Sequence, residues 1–170
     1  MKKISRILLV ASLLTLSLLL VMGCSKKETK MDKATFESAV NICDDNVTVV
    51  HIYNYDGIID EESIRVVDGK AYVKLSASDE WFAFKSVRRF FTIVEISTCY
   101  DAFTLKDGKY TAELLTVKDE EGLSTILSNV TLEFDDDNRL VKLYYEYENG
   151  ASLDTFTYEF SDYGTTVAPK

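Results

Sequence analysis

The sequence predicts an α+β domain: one large antiparallel sheet, curved into a half-barrel, with two short helices on one face. Three observations predict it. Apolar and polar residues alternate at period two through most of residues 46–160, the pattern of strands rather than helices. Asp-Gly pairs at 68–69 and 107–108 interrupt that alternation and mark two-residue hairpins, because both central residues of such a turn take positive φ. Helical spacing occurs in only two stretches, and the single proline stands at position 169, where it breaks no strand. An open sheet of many strands twists and curls. One face then needs a cover, and the two helices are the only candidates.

The elements follow in order. Phe36, Ala39, Val40 and Cys43 fall at i, i+3, i+4 and i+7, one face of a helix. Asp32 is its N-cap, and Asp44 and Asp45 stop it. From Asn46 the period changes: Val47, Val49, His51, Tyr53 and Tyr55 alternate with Thr48, Val50, Ile52 and Asn54. Both sets include apolar residues, so this strand is expected to be covered on both sides over part of its length. Asp56 and Gly57 end it. Residues 63–67 and 70–77 form the first hairpin, and a short strand with Trp81, Phe82 and Phe84 follows at 80–85. Residues 86–100 carry Val87, Phe90, Phe91 and Val94 at helical spacing, with Ser86 as cap. Their β-branched neighbours favour strand; the spacing is taken, and a second helix is expected. Residues 103–106 and 110–118 form the second hairpin. Strands at 130–134, 139–148 and 153–160 complete a meander with turns about every ten residues.

Ahead of this domain, Lys2, Lys3 and Arg6 precede an apolar run at 7–22. A basic start, an apolar middle and a small residue before the cleavage point make a secretory signal peptide. The run is shorter than the roughly 20 residues of a spanning helix and contains Ser12, Thr15 and Ser17. Val21, Met22, Gly23 and Cys24 resemble the lipobox of bacterial lipoproteins. That resemblance implies cleavage before Cys24 and a diacylglyceryl thioether on its sulfur. Two acyl chains or more anchor stably where one is marginal. The chain divides accordingly into a signal peptide at 1–23, a flexible tether at 24–31 and the domain at 32–170. The protein is expected to be exported and lipid-anchored to the outer face of the cell membrane, or to the outer membrane where the host has one.

Within the domain, the order of helix, strands, helix and long meander resembles the half-barrel lipoproteins of the LolA/LppX type. The ending Phe160, Ser161, Asp162, Tyr163, Gly164, Thr165, Thr166, Val167, Ala168, Pro169 is similar to their closing pattern of aromatic strand end, Tyr-Gly turn and terminal proline. The resemblance implies a curled sheet around an apolar cavity, closed by helices, that takes lipid acyl chains.

Composition narrows the function classes. The net charge is −9, and without Lys2, Lys3 and Arg6 it becomes −12. So acidic a body repels phosphate backbones, and no basic stripe interleaved with aromatics appears, which argues against nucleic acid. Lys26, Lys27, Lys30 and Lys33 lie just after the anchor, where each could add about 1 kcal/mol of attraction to an anionic leaflet; an ordinary solvated linker is the alternative. Cys43 and Cys99 remain once Cys24 is assigned to lipid. An even number in an exported chain permits one bridge, which would tie the ends of the two helices; two separate thiols are the alternative.

His51 is the only histidine, so no Ser-His-Asp or Cys-His pair exists without it. Its place in a strand between aromatic neighbours reads as structural. No two histidines or cysteines have zinc spacing. Asp135, Asp136, Asp137 and Asn138 do not alternate as calcium-loop ligands do and read as a hairpin turn. Asp60, Glu61 and Glu62 read as solvated loop charge, as do Asp119, Glu120 and Glu121. Asn46 and Asn129 simply start strands. The chain is therefore expected not to be an enzyme and to need no cofactor. Two functions remain. In one, Val87, Phe90, Phe91 and Val94 face the inner sheet and line a pocket for an apolar ligand. In the other, the core is filled and an exposed face such as Tyr144, Glu146 and Glu148 contacts another envelope protein.

Overall fold

The computed structural model describes residues 29–42, 45–85, 93–118 and 121–169. Cys24, Cys43, Val87, Phe90 and Phe91 lie outside these residues, as does the side chain of Val94. The lipidation site, the Cys43–Cys99 bridge and the expected pocket lining therefore fall outside the described structure. Among the described residues no helix is long and apolar enough to cross a membrane.

Nine antiparallel strands form one sheet. They are β1 (Val47–Tyr55), β2 (Ile58–Val67), β3 (Lys70–Leu75), β4 (Phe82–Phe84), β5 (Thr104–Lys106), β6 (Lys109–Lys118), β7 (Ser124–Phe134), β8 (Leu140–Asn149) and β9 (Ser152–Ser161). Their spatial order is β4-β3-β2-β1-β9-β8-β7-β6-β5. The curved α+β sheet expected from the alternation is thus the fold, and every neighbouring pair is a hairpin or meander step except one. β4 and β5 stand at opposite edges, with the helical segment between them in sequence. β1 pairs β9, which joins the first strand to the last.

The helices lie on one face. Helix α1 (Lys33–Val40) is capped by Asp32, whose carboxylate accepts the Thr35 N–H at 3.0 Å and the Thr35 hydroxyl at 2.6 Å. It buries Phe36 and Val40, spaced i, i+4, and ends at Asn41, two residues before Cys43. Helix α2 (Ile93–Ser97) leads into a 3-10 turn, Tyr100–Ala102. The Phe36 ring is the hub of this layer: Tyr100, Phe103, Tyr110 and Phe134 stand 5.3, 5.4, 5.3 and 6.1 Å from it, centre to centre. Beneath it the sheet contributes Val47, Val49, Ile64, Val66, Leu132, Leu143 and Phe160, all buried. Among the described residues the buried apolar side chains all fall between Phe36 and Phe160.

The Asp-Gly turns form as expected, with φ of 51° and 72° at Asp68 and Gly69, and 52° and 76° at Asp107 and Gly108. Asp56 and Gly57 do the same, at 50° and 84°, and make a third hairpin. Consequently β2 begins at Ile58 and not at residue 63, and Asp60, Glu61 and Glu62 are strand residues rather than loop charge. Asn129 also departs from expectation. It does not start a strand but sits inside β7 with φ 50°, where the register against β8 shifts between Ser128 and Thr131. The extra residue lets Leu127 and Val130, three apart, both face the core. Opposite it Ala112 and Leu115 show the same spacing.

Both ends of the domain are tied down. The Lys30 ammonium donates to the carbonyls of Tyr100 and Phe103 at 2.9 and 2.8 Å and sits 3.8 Å over the Tyr100 ring. Met31 N–H donates to the Tyr110 hydroxyl and its carbonyl accepts from the Tyr100 hydroxyl, each at 2.6 Å. Lys33 pairs with Asp101 at 3.1 Å. Lys30 and Lys33 thus hold the tether's end against the 3-10 turn, where a free linker or a membrane-facing patch was expected. At the other end Tyr163 donates to the Leu140 carbonyl at 2.7 Å, and Gly164 N–H to the Asn46 carbonyl at 2.7 Å.

Candidate functional site

Because side chains alternate across a strand, the registers decide what the concave face carries. In β1 that face holds Val47, Val49, His51, Tyr53 and Tyr55. Directly opposite in β2 stand Val66, Ile64, Glu62, Asp60 and Ile58. On the β9 side stand Phe160, Tyr158 and Phe156, opposite Val49, His51 and Tyr53, and β8 adds Leu143 and Tyr145. The face therefore has two halves. The half at Val47 and Val49 is aliphatic and lies under α1. The half from His51 to Tyr55 is aromatic and acidic.

The aromatic half has a stacked floor and inclined walls. His51 lies on Tyr158 with ring centres 4.2 Å apart and planes 2° from parallel; Tyr145 stacks on Phe156 at 4.9 Å and 19°. Tyr53 and Tyr55 are 5.1 Å apart and inclined by 55°, and Tyr55 meets Phe156 at 5.5 Å and 82°. Toward the β4 edge the same face continues through Leu75, opposite Glu62, and Phe82 and Phe84, opposite Val73 and Ala71. Here burial stops. Tyr55 is 45% exposed, Ile58 73%, Leu75 42%, Phe82 44% and Phe84 40%.

Three carboxylates enter this surface. Asp60 accepts hydrogen bonds from the Ser76 hydroxyl, the Glu61 N–H at 2.8 Å and the Tyr53 hydroxyl at 3.1 Å. These donors, Ser76 first, hold its carboxyl below the usual range. Glu62 lies 3.4 Å from His51 Nδ1; burial, and then the charge on Asp60, push its carboxyl up. Asp154, 1% exposed, accepts from the Ser152 hydroxyl at 3.2 Å. Burial pushes His51 down to about 4, so its ring is neutral near pH 7, and its Nε2 is buried with no hydrogen-bond partner. Desolvation and the Asp60 hydrogen bond push the Tyr53 phenol up to about 12.

Two hollows are lined differently. An open groove of about 1010 Å³ runs along α1 but is lined largely by polar groups, including Asp45, Asn46, Asp68 and Asp137. A cleft of about 400 Å³ lies at Leu114, Ile126, Tyr147 and Glu148. Among the described residues no three His, Cys, Asp or Glu side chains are grouped to hold a metal ion. Asp135, Asp137 and Arg139 form a salt-bridged turn, with both contacts at 2.8 Å. The outer face at Tyr144 and Glu146 is engaged internally: Glu146 accepts from the Tyr144 hydroxyl and the Asn129 amide, each at 2.7 Å, and so pins the β7 bulge. Cys99 is half-buried, its thiol 3.5 Å from the Glu95 carbonyl.

Sequence reasoning missed Asp60, Glu62 and Asp154 as site residues. The signal was present in Asp56 and Gly57: folding β2 back from that turn opposes Tyr53 to Asp60 and His51 to Glu62.

No family model matches the chain, and no curated protein matches it. Among solved structures it is similar to a DUF1329 family protein from Desulfovibrio piger, with 14% identity over 79% of this chain and 93% of that one, at a TM-score of 0.23.

Proposed function

We propose that this is an extracytoplasmic binding module, held at a membrane surface through lipid on Cys24, whose concave face takes an apolar ligand. The observation that carries the reading is the exposure of Leu75, Phe82 and Phe84 at the β4 edge, with Tyr55 and Ile58 exposed farther along the same face. Scattered exposed apolar residues are ordinary, but neighbouring ones such as Leu75, Phe82 and Phe84 on one face mark a binding surface. Covering such half-exposed side chains stabilises a complex by about 1 kcal/mol each. Binding rather than chemistry fits the site, because its histidine is neutral, stacked on Tyr158 and, among the described residues, hydrogen-bonded to a carboxylate rather than to a serine or cysteine.

The test is native mass spectrometry of a chain lacking residues 1–23 and carrying Cys24→Ser, purified without detergent. Co-purified apolar molecules, or saturable uptake of a fluorescent alkyl probe that is lost in an Ile58→Asp, Phe82→Asp variant, are expected. A folded protein with neither leaves the concave face without a ligand and returns the interaction-module reading. The anchor is tested separately: a full-length Cys24→Ala chain should leave the membrane fraction, and its retention there through an uncleaved 1–23 segment would refute lipidation as the anchor.

A further inference from the structure

We propose that the ligand of the concave face is an amphiphile with an ammonium head, its nitrogen held between the rings of Tyr53, Tyr55 and Phe156 and the carboxylates of Asp60 and Glu62. This rests on the apolar-ligand reading and names the polar end of that ligand.

Two independent features point to a cation. The first is the ring geometry. Inclinations of 55° and 82° within 5.1–5.5 Å turn Tyr53, Tyr55 and Phe156 toward one another as walls, and aromatic faces carry negative potential that attracts ammonium groups. The second is uncompensated charge. Among the described residues no Lys or Arg pairs with Asp60, Glu62 or Asp154; the neutral His51 ring stands opposite Glu62 at 3.4 Å. Asp60 is pre-oriented and kept ionised by its three donors, and Asp154 and Glu62 both act on Tyr55 electrostatically. A carboxylate or phosphate head would meet like charge here, within a chain already at −9. A metal ion does not fit, since these carboxylates are not grouped as ligands.

The experiment is calorimetric titration of the 24–170 chain carrying Cys24→Ser with three probes that share one alkyl chain, each kept below its aggregation limit: decylamine, decanol and decanoate. Decylamine is expected to bind at least tenfold more tightly than decanol, and decanoate more weakly than either. Glu62→Gln should cut decylamine affinity about tenfold while leaving decanol binding unchanged, which also reports that the face remains folded; Asp60→Asn should act in the same direction. Decyltrimethylammonium, which has charge but no N–H, should fall between decylamine and decanol. Equal binding of decylamine and decanoate, or a Glu62→Gln loss that is the same for decanol, overturns the ammonium assignment while leaving the apolar reading intact. Binding of none of the probes overturns both.

Discussion

Replacing Phe36 by alanine tests whether the helical layer is fastened through one ring. Phe36 is 0% exposed and faces four aromatic rings at 5.3–6.1 Å. A buried Phe→Ala change costs about 3–5 kcal/mol. The aromatic pairs lost add about 0.5–1.5 kcal/mol each beyond area in measured cases, which places this site toward the upper end, near about 4–5 kcal/mol. For a body of residues 29–169, about 2.1 cal/mol/K per residue gives an unfolding entropy of roughly 0.3 kcal/mol/K, hence a fall in Tm of about 13–17 °C. A domain has only about 5–15 kcal/mol in total, so the variant should be close to half unfolded at moderate urea. Urea titration followed by near-ultraviolet circular dichroism of the tyrosines reads the loss. Leu114→Ala, at a side chain 67% exposed, is the control and should change stability by less than about 0.5 kcal/mol. A Phe36→Ala loss below about 2 kcal/mol would refute the view that this ring joins α1 to the sheet.

His51 should make stability pH-dependent. Its folded value of about 4 lies below the ordinary 6.5, so between them the unfolded chain binds the proton and the folded chain does not; stability falls as pH drops from about 6.5 and levels off below about 4, by up to roughly 3 kcal/mol. The raised Glu62 carboxyl opposes part of this, and His51→Phe, which keeps a ring on Tyr158, should flatten the slope in that window; an unchanged slope would assign it elsewhere. Gly69 has φ +72° and open space where a Cβ would stand, so Gly69→Ala isolates the backbone cost, about 1–2 kcal/mol by denaturation; Gly69→Asn should lose less. Asp32→Ala removes the α1 cap and should cost about 1 kcal/mol, with amide exchange accelerating first at Thr35 and Phe36.

The local devices of this fold were legible in the residues. Period-two alternation, the Asp-Gly turns at 68–69 and 107–108, and the Asp32 cap before Phe36 and Val40 each act within a few positions, through sterics and short-range hydrogen bonds that any context preserves. Where reading failed, a local cue was weighed against a stronger habit. Asp60, Glu61 and Glu62 look like loop charge because strands disfavour carboxylates, yet the turn at Asp56 and Gly57 carries the chain back beside β1 and the pairing overrides the propensity. Asn129 carries no sign of a bulge until its partners are known, because the bulge exists to bring Leu127 and Val130 onto one face of a sheet that curves.

The amino-acid sequence by itself determined an all-antiparallel, helix-capped body with a single histidine. The tertiary structure alone decided which residues meet. The pairing of β1 with β9 lays Tyr53 and His51 beside Phe156 and Tyr158, more than a hundred positions away, and so assembles the aromatic floor from both ends of the chain. No periodicity encodes that choice. It is set by the closing of the whole sheet, in which each strand's apolar face must find cover at once, and an edge that finds none keeps Phe82, Phe84 and Ile58 exposed.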